Sequence, residues 1–236
     1  MQQYFLDQKL NINDIVSLRD DILYHLVKVL RNTNTEFRLV DNTKTVYLAK
    51  LINNQALIVD RLNENNELDV DITVILSLFK SDKFELTLQK LTELGVKRII
   101  PYNAKRSIVK ENKKDRKLER YKKILTEASE QSHRNIIPEI LPAINLKDIV
   151  NYKSELNFIA YEKENSNLLN NIKGKSITIV IGPEGGFEED EYKAIVDMGF
   201  ESISLGKRIL RAETAAIFLT SIIVGDNQWR HFQWWF

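Results

Sequence analysis

The sequence predicts an α/β fold: a layer built on a mostly parallel sheet over residues 71–236, preceded by a small β-barrel with one helix over residues 1–70. Three observations lead there. Short strand-like segments crowd the first part of the chain, separated by turn chemistry. After the polar run Leu62-Asn-Glu-Asn-Asn-Glu-Leu-Asp69, strands and helices alternate, as they do in a parallel layer. Five of the eight glycines then fall between Ile177 and Ala216, four of them in two phrases that each follow a β-branched apolar run and precede a helical pattern.

Taken in order, Phe37-Arg-Leu-Val, Thr45 to Ile52 and Ala56 to Asp60 read as strands, with Asp-Asn-Thr-Lys and Asn-Asn-Gln turns between them. A helical pattern from Asp21 to Leu30 puts Ile22, Leu26, Val29 and Leu30 on one face. The polar run at 62–69 is the expected hinge. Beyond it Ile72 to Phe79 is a buried strand, and Lys83 to Leu94 a helix that Gly95 stops. Arg98 to Tyr102 is a strand, and a charged helix runs from about Lys113 to His133, with Leu118, Tyr121, Leu125 and Ala128 toward the core. Asn157 to Tyr161 and Ile177 to Ile181 are strands. Glu188 to Met198 is a helix with four acids in its first turn, the sign its dipole favours. Ser202 to Leu205 and Ala212 to Val224 are the last strand and helix.

Composition narrows the function. A formal charge of +1 marks no whole-chain field, so any basic patch is local. The absence of cysteine excludes disulfides, thiolate metal sites and a cysteine nucleophile, and fits a cytoplasmic protein. His25, His133 and His231 lack metal-ligand spacing, so no metal is expected. No apolar run is long enough to span a bilayer, and the N-terminus is no secretory signal.

Three stretches carry chemistry. The two glycine phrases, Ile181-Gly-Pro-Glu-Gly-Gly-Phe187 and Leu205-Gly-Lys-Arg-Ile-Leu-Arg-Ala-Glu-Thr-Ala215, fall at carboxyl ends of strands, where parallel sheets bind ligands. The first has neither P-loop nor dinucleotide spacing and also reads as a plain strand-to-helix turn; Arg208, Arg211 and Glu213 around the second glycine turn weaken that reading, although Glu213 also suits a helix start. Lys97 to Lys123 holds twelve basic residues against three acidic ones, a local +9. That is the footprint of a phosphate backbone, or a solvated helix face. Glu127, Glu130 or Gln131, and Arg134 recur at helical spacing, a polar face for a base or cofactor, or else salt-bridged surface.

Together the phrases resemble the bacterial 16S ribosomal RNA uridine-N3 methyltransferase family, within the trefoil-knotted (SPOUT) methyltransferases. The resemblance rests on His25-Leu-Val-Lys-Val-Leu-Arg31, Lys90-Leu-Thr-Glu-Leu-Gly-Val96, Lys105-Arg-Ser107, Glu127 to Arg134, Tyr161-Glu-Lys163 and the two glycine phrases, seven motifs in order. It implies a PUA-like N-terminal barrel that helps bind RNA, and a C-terminal domain whose last helix threads a knot. It implies S-adenosylmethionine as cofactor and a homodimer that acts on 16S rRNA or the small ribosomal subunit.

Carried onto this chain, the cofactor wall is Gly182, Pro183, Glu184 and Gly185 with Leu205, Gly206, Ile209 and Leu210 opposite. Arg211 and Glu213 are the implied catalytic residues, and Arg31, Arg106, Arg134 and Asn135 the implied RNA contacts. Two departures stand out. Gln3 occupies a place where the family often has an arginine, and the tail Trp229 to Phe236 is no family feature. The implied reaction methylates N3 of an unpaired uridine. Arg211 would stabilise negative charge on the base, and Glu213 would serve as base or orienter. Competing readings are another RNA target, a non-catalytic RNA-binding protein of the same fold, and a nucleotide-binding enzyme.

Overall fold

The computed structural model describes residues 1–29, 36–110, 117–164, 167 and 172–228. The chain divides into two units, Met1–Glu67 with Ser129–Ile136, and Leu68–Ala128 with Ile137–Phe236.

The first unit holds β1 (Gln3–Phe5), β2 (Ile15–Ser17), α1 (Asp20–Tyr24) running into a π-helical turn at His25–Val29, β3 (Glu36–Val40), β4 (Val46–Ile52) and β5 (Gln55–Leu62). They form one curled sheet in the order β1-β3-β4-β5-β2, antiparallel except where β1 lies parallel to β3. Among the described residues β1 and β2 are its edges, so closure into the expected barrel is not one of its ladders. The turns follow the sequence chemistry. Asp41 Oδ1 accepts from the amides of Thr43 and Thr45 at 2.8 and 3.0 Å. Asn53 and Asn54, at φ +49° and +63°, supply the two left-handed residues that a tight hairpin requires. Ile22 and Leu26 enter the core with Phe37, Leu39 and Ile58. Val29 does not: the π-turn widens the helix and rotates it out, leaving it 56% exposed. Leu30 lies outside the described residues.

The second unit contains β6 (Asp71–Ser77), α2 (Ser81–Glu93), β7 (Arg98–Tyr102), α3 (Lys117–Gln131), β8 (Glu139–Ile140), a 3-10 helix at Leu146–Tyr152, β9 (Leu156–Ala160), β10 (Ser176–Ile181), α4 (Glu189–Asp197), β11 (Glu201–Ile203) and α5 (Ala212–Gln228). Its sheet runs β11-β9-β10-β6-β7-β8, every pair parallel. A parallel sheet needs cover on both faces, which explains the unbroken apolar strand runs. Alternate residues Ile72, Val74, Ile177 and Ile179 pack with α2, α3 and α5 through Phe84, Leu88, Leu125, Leu219 and Ile223. Ile75, Ile100 and Val180 point the other way, to Phe187, Ile195 and Phe200. The expected inward face of α3 is present, with Tyr121, Leu125 and Ala128 buried and Leu118 packed against the cluster.

The last residues of α3 and the turn after it belong to the first unit. There the helical face drawn through Arg134 breaks, because α3 ends at Gln131 and His133 turns at φ +57°. Arg134 and Asn135, expected to reach RNA, are instead 3% and 5% exposed. Glu67 accepts from Arg134 Nη2 at 2.6 Å, the Asn135 amide at 2.8 Å and the Ile136 amide at 3.2 Å. Asn135 Nδ2 donates to the Glu64 and Lys44 carbonyls, and Gln3 Nε2 to the Arg134 carbonyl at 2.7 Å. In this arrangement both residues bind their own unit together, which hydrogen-bonding capacity rather than position in the sequence decides.

Glu67→Ala would remove the carboxylate that pairs with the buried Arg134 guanidinium at 2.6 Å, and should cost about 3–5 kcal/mol in urea unfolding. Tyr4 supplies a pH test. Burial first, then the charge of Glu130, pushes its hydroxyl from 10.0 up to about 12, while it bonds His25 Nδ1 at 2.8 Å. A group raised in the folded state contributes stability that is intact below pH 10 and lost as pH rises toward 12. Melting temperature should therefore fall across that window, and Tyr4→Phe should reduce the slope.

Candidate functional site

Strand register builds this site. Ile181, the last residue of β10, pairs with Ala160 at the end of β9, and Ala160 pairs in turn with Ile203 at the end of β11. Three chain segments therefore leave the sheet side by side at its carboxyl edge, the usual ligand side of a parallel layer. They line one pocket: Ala160 to Glu162 from the first, Ile181 to Glu184 and Gly186 from the second, and Ser204 to Leu210 with Ala212 and Ala215 from the third.

The first glycine phrase is a tight turn, closed by the Gly186 amide donating to the Pro183 carbonyl at 2.9 Å. Its shape depends on Phe187, which is buried in the core and passes so near Gly182 that a Cβ there would lie 2.8 Å from the ring. Gly186 is required twice over: its φ is +69°, and a Cβ would fall 2.5 Å from Glu162 Oε1. From outside, Arg106 Nε donates to Glu188 at 2.8 Å and Nη1 to the Gly185 carbonyl at 3.1 Å, so this residue braces the turn. Beneath it, the fully buried Glu191 accepts from the Tyr102 hydroxyl and from the Lys105 amide at 2.9 Å. Burial, then that carboxylate, pushes the tyrosine's ionisation far upward.

In the second phrase Gly206 has φ +103°, and nothing lies within 4 Å of where a Cβ would stand. Lys207, Arg208 and Arg211 are exposed, and Ile209 is 87% exposed although it borders the pocket. Glu213, in the first turn of α5, faces Lys83 of α2: Lys83 Nζ lies 3.3 Å from Glu213 Oε1 and 3.1 Å from Glu184 Oε1. Glu213 Oε2 is buried with no hydrogen-bond partner among the described residues.

Of the eight residues expected to form a cofactor wall, Gly182, Pro183, Glu184, Leu205, Gly206, Ile209 and Leu210 line the pocket, while Gly185 sits behind it against Arg106. Arg211 and Glu213 stand beside the lining rather than in it. Arg31 and the tail 229–236 lie outside the described residues. Five of the twelve basic residues of the basic stretch pair with acids distant in sequence. Lys97 pairs with Asp71, Arg98 with Glu139, Lys105 with Asp190, Arg106 with Glu188 and Arg120 with Glu85. Lys113, Lys114 and Arg116 are outside the described residues. No cluster able to hold a metal ion and no helix able to cross a membrane occurs among the described residues.

Residues 66–224 match the model of the RNA methyltransferase domain. The ribosomal RNA small subunit methyltransferase E of Mesomycoplasma hyopneumoniae is 34% identical over 231 residues, 96% of this chain and 100% of that protein. The protein of the same name from Bacillus subtilis is 32% identical, covering 94% of this chain and 96% of its own. The chain belongs to the RNA methyltransferase family. Among solved structures, ribosomal RNA small subunit methyltransferase E from Neisseria gonorrhoeae bound to S-adenosyl methionine superposes with a TM-score of 0.85 at 31% identity, over 94% of this chain and 96% of that one. A Legionella pneumophila methyltransferase in complex with the same cofactor gives 0.84 at 28% identity, with 94% and 96% covered.

The matched methyltransferase span contains both glycine phrases and also Lys83, Tyr161, Glu162 and Ser204, none of which sequence reasoning assigned to the site. Tyr161 and Glu162 stood in a recognised motif, and Tyr161 stacks on Tyr192 with ring centres 3.8 Å apart. Lys83 had no comparable signal, because its partner Glu184 is 101 positions away.

Gly186→Ala should destabilise the protein by about 1–3 kcal/mol, through positive φ together with the Glu162 clash. A melting curve matching the wild type would mean that the turn relaxes freely.

Proposed function

We propose that this chain transfers a methyl group from S-adenosylmethionine to N3 of a uridine in 16S ribosomal RNA. The observation that carries the reading is the pocket formed by both glycine phrases at one sheet edge, in a chain that aligns along nearly its whole length with a relative solved with this cofactor. The pocket suits such a ligand. It offers apolar side chains from Ile181, Leu205 and Leu210, main-chain groups of two turns, and open space where a Gly206 side chain would stand. Gly182, Pro183, Glu184, Leu205, Gly206, Ile209 and Leu210 would hold the cofactor, which when bound supplies an electrophilic methyl on a sulfonium sulfur.

The chain's own residues meet the other needs of the reaction. N3 of uracil carries a proton at neutral pH, and its loss puts negative charge on O2 and O4. The exposed Arg211 guanidinium, always charged and planar, is the group assigned to stabilise that charge. Glu213, with one oxygen on Lys83 and the other buried without a partner among the described residues, is assigned to receive or orient the proton. Exposed Lys207 and Arg208 offer cations to a phosphate backbone.

The same reading brings a trefoil knot, which is supported by the path of the chain: it leaves edge strand β11 and returns to pack α5 on α2 and β10. It makes the first unit a PUA-like RNA-binding domain over residues 1–70, to which 129–136 add, and residues 71–236 the methyltransferase domain. Function as a cytoplasmic homodimer completes the reading, supported by an α5 that leaves Phe218 44% exposed.

Calorimetric titration with S-adenosylmethionine, with ATP as control, should show binding of the former alone. Arg211→Ala should then lower methyl transfer to 16S RNA by about 100-fold or more while leaving that affinity within about threefold. Equal loss of both would remove Arg211 from the base side, and no binding in a folded protein would point to RNA binding without catalysis.

A further inference from the structure

We infer that Lys83 is a positioning residue of this site, a single cation that joins a carboxylate from each glycine phrase, Glu184 and Glu213, into one clamp. The inference rests on the methyltransferase reading above and adds to it a residue from a third, distant segment. Lys83 lies in the first turn of α2, with Nζ 3.1 Å from Glu184 Oε1 and 3.3 Å from Glu213 Oε1. The side chains of Lys83, Glu184 and Glu213 are 25%, 32% and 14% exposed, so the group is more shielded than an ordinary surface pair. Hydrogen bonds that the ammonium donates, first to Glu184 and then to Glu213, raise its pKa, which keeps it charged.

Two features separate this clamp from a plain structural ion pair. The docking of α2 on α5 is already served by apolar contacts through Phe84, Leu88, Leu91, Leu219 and Ile223, so the helices do not need the charge to meet. Glu184, moreover, lines the pocket, and Glu213 holds a buried Oε2 that no group among the described residues satisfies, a state folding alone does not favour. By occupying Oε1, Lys83 determines which Glu213 oxygen remains for a donor from outside the chain. It does so without lining the pocket itself, and so acts through its two partners.

The test compares wild type, Lys83→Met, Lys83→Arg, Glu213→Gln and the Lys83→Met/Glu213→Gln double variant by unfolding, S-adenosylmethionine calorimetry, and kcat and KM for methyl transfer to 16S RNA. Lys83→Met should weaken cofactor affinity about tenfold and lower kcat about thirtyfold, and Lys83→Arg should recover most of both. In kcat the double variant should fall no more than about threefold below Glu213→Gln, because the lysine reaches the proton side through that carboxylate. Wild-type affinity and kcat in Lys83→Met, losses that arginine does not rescue, or additive losses in kcat would each overturn the clamp. Should Lys83→Met not fold, Lys83→Arg beside Lys83→Gln decides by the same two readouts. A wild type that binds cofactor but transfers no methyl would refute the proposed reaction, not the clamp, and affinity alone then judges Lys83. A wild type that does neither removes the reading and the inference together.

Discussion

The candidate site depends on one constraint, the in-register parallel pairing of β11, β9 and β10. Backbone hydrogen bonds align Ile203, Ala160 and Ile181, and that alignment brings the loops after three successive strands to one place. A slip of one residue would reverse every inward and outward side chain of a strand, and both faces here are filled by packed clusters that forbid it. The pocket is thus a consequence of how the sheet is buried, and the glycine phrases only shape what the register has already collected.

Around that edge the protein spends polar groups on rigidity. Arg106 holds the first glycine turn from outside, and buried Glu191 holds the segment carrying Arg106 from below. Phe187 fills the space that Gly182 leaves. Each is a short link from a strand or helix to a loop, so the loops inherit the order of the core. A site that must hold reacting groups within fractions of an ångström gains from such support.

Much of this was legible beforehand. The long apolar strand runs and the α3 periodicity announced themselves because burial on both faces, or on one helical face, leaves a mark over many residues. The glycine phrases were legible because tight turns near a ligand admit few residue types. Arg134 shows the opposite case: helical spacing suggested an outward polar face, but the helix stops at Gln131 and Glu67 draws the guanidinium inside. The +9 stretch shows a similar limit, since a window along the chain counts neighbours in sequence while ion pairs such as Arg98–Glu139 and Lys105–Asp190 form between neighbours in space.

The sequence by itself determined the alternation of strands and helices, the stops at Gly95 and the turn at Asn53-Asn54, because these depend on local dihedral freedom and on periodic burial. Only the tertiary structure decided that Arg106 braces a turn, that Asn135 is buried, and that Lys83 stands between Glu184 and Glu213. Contacts of that kind join residues tens of positions apart. No local preference encodes them; they exist once the sheet has fixed its order and the side chains compete for the few partners left within reach.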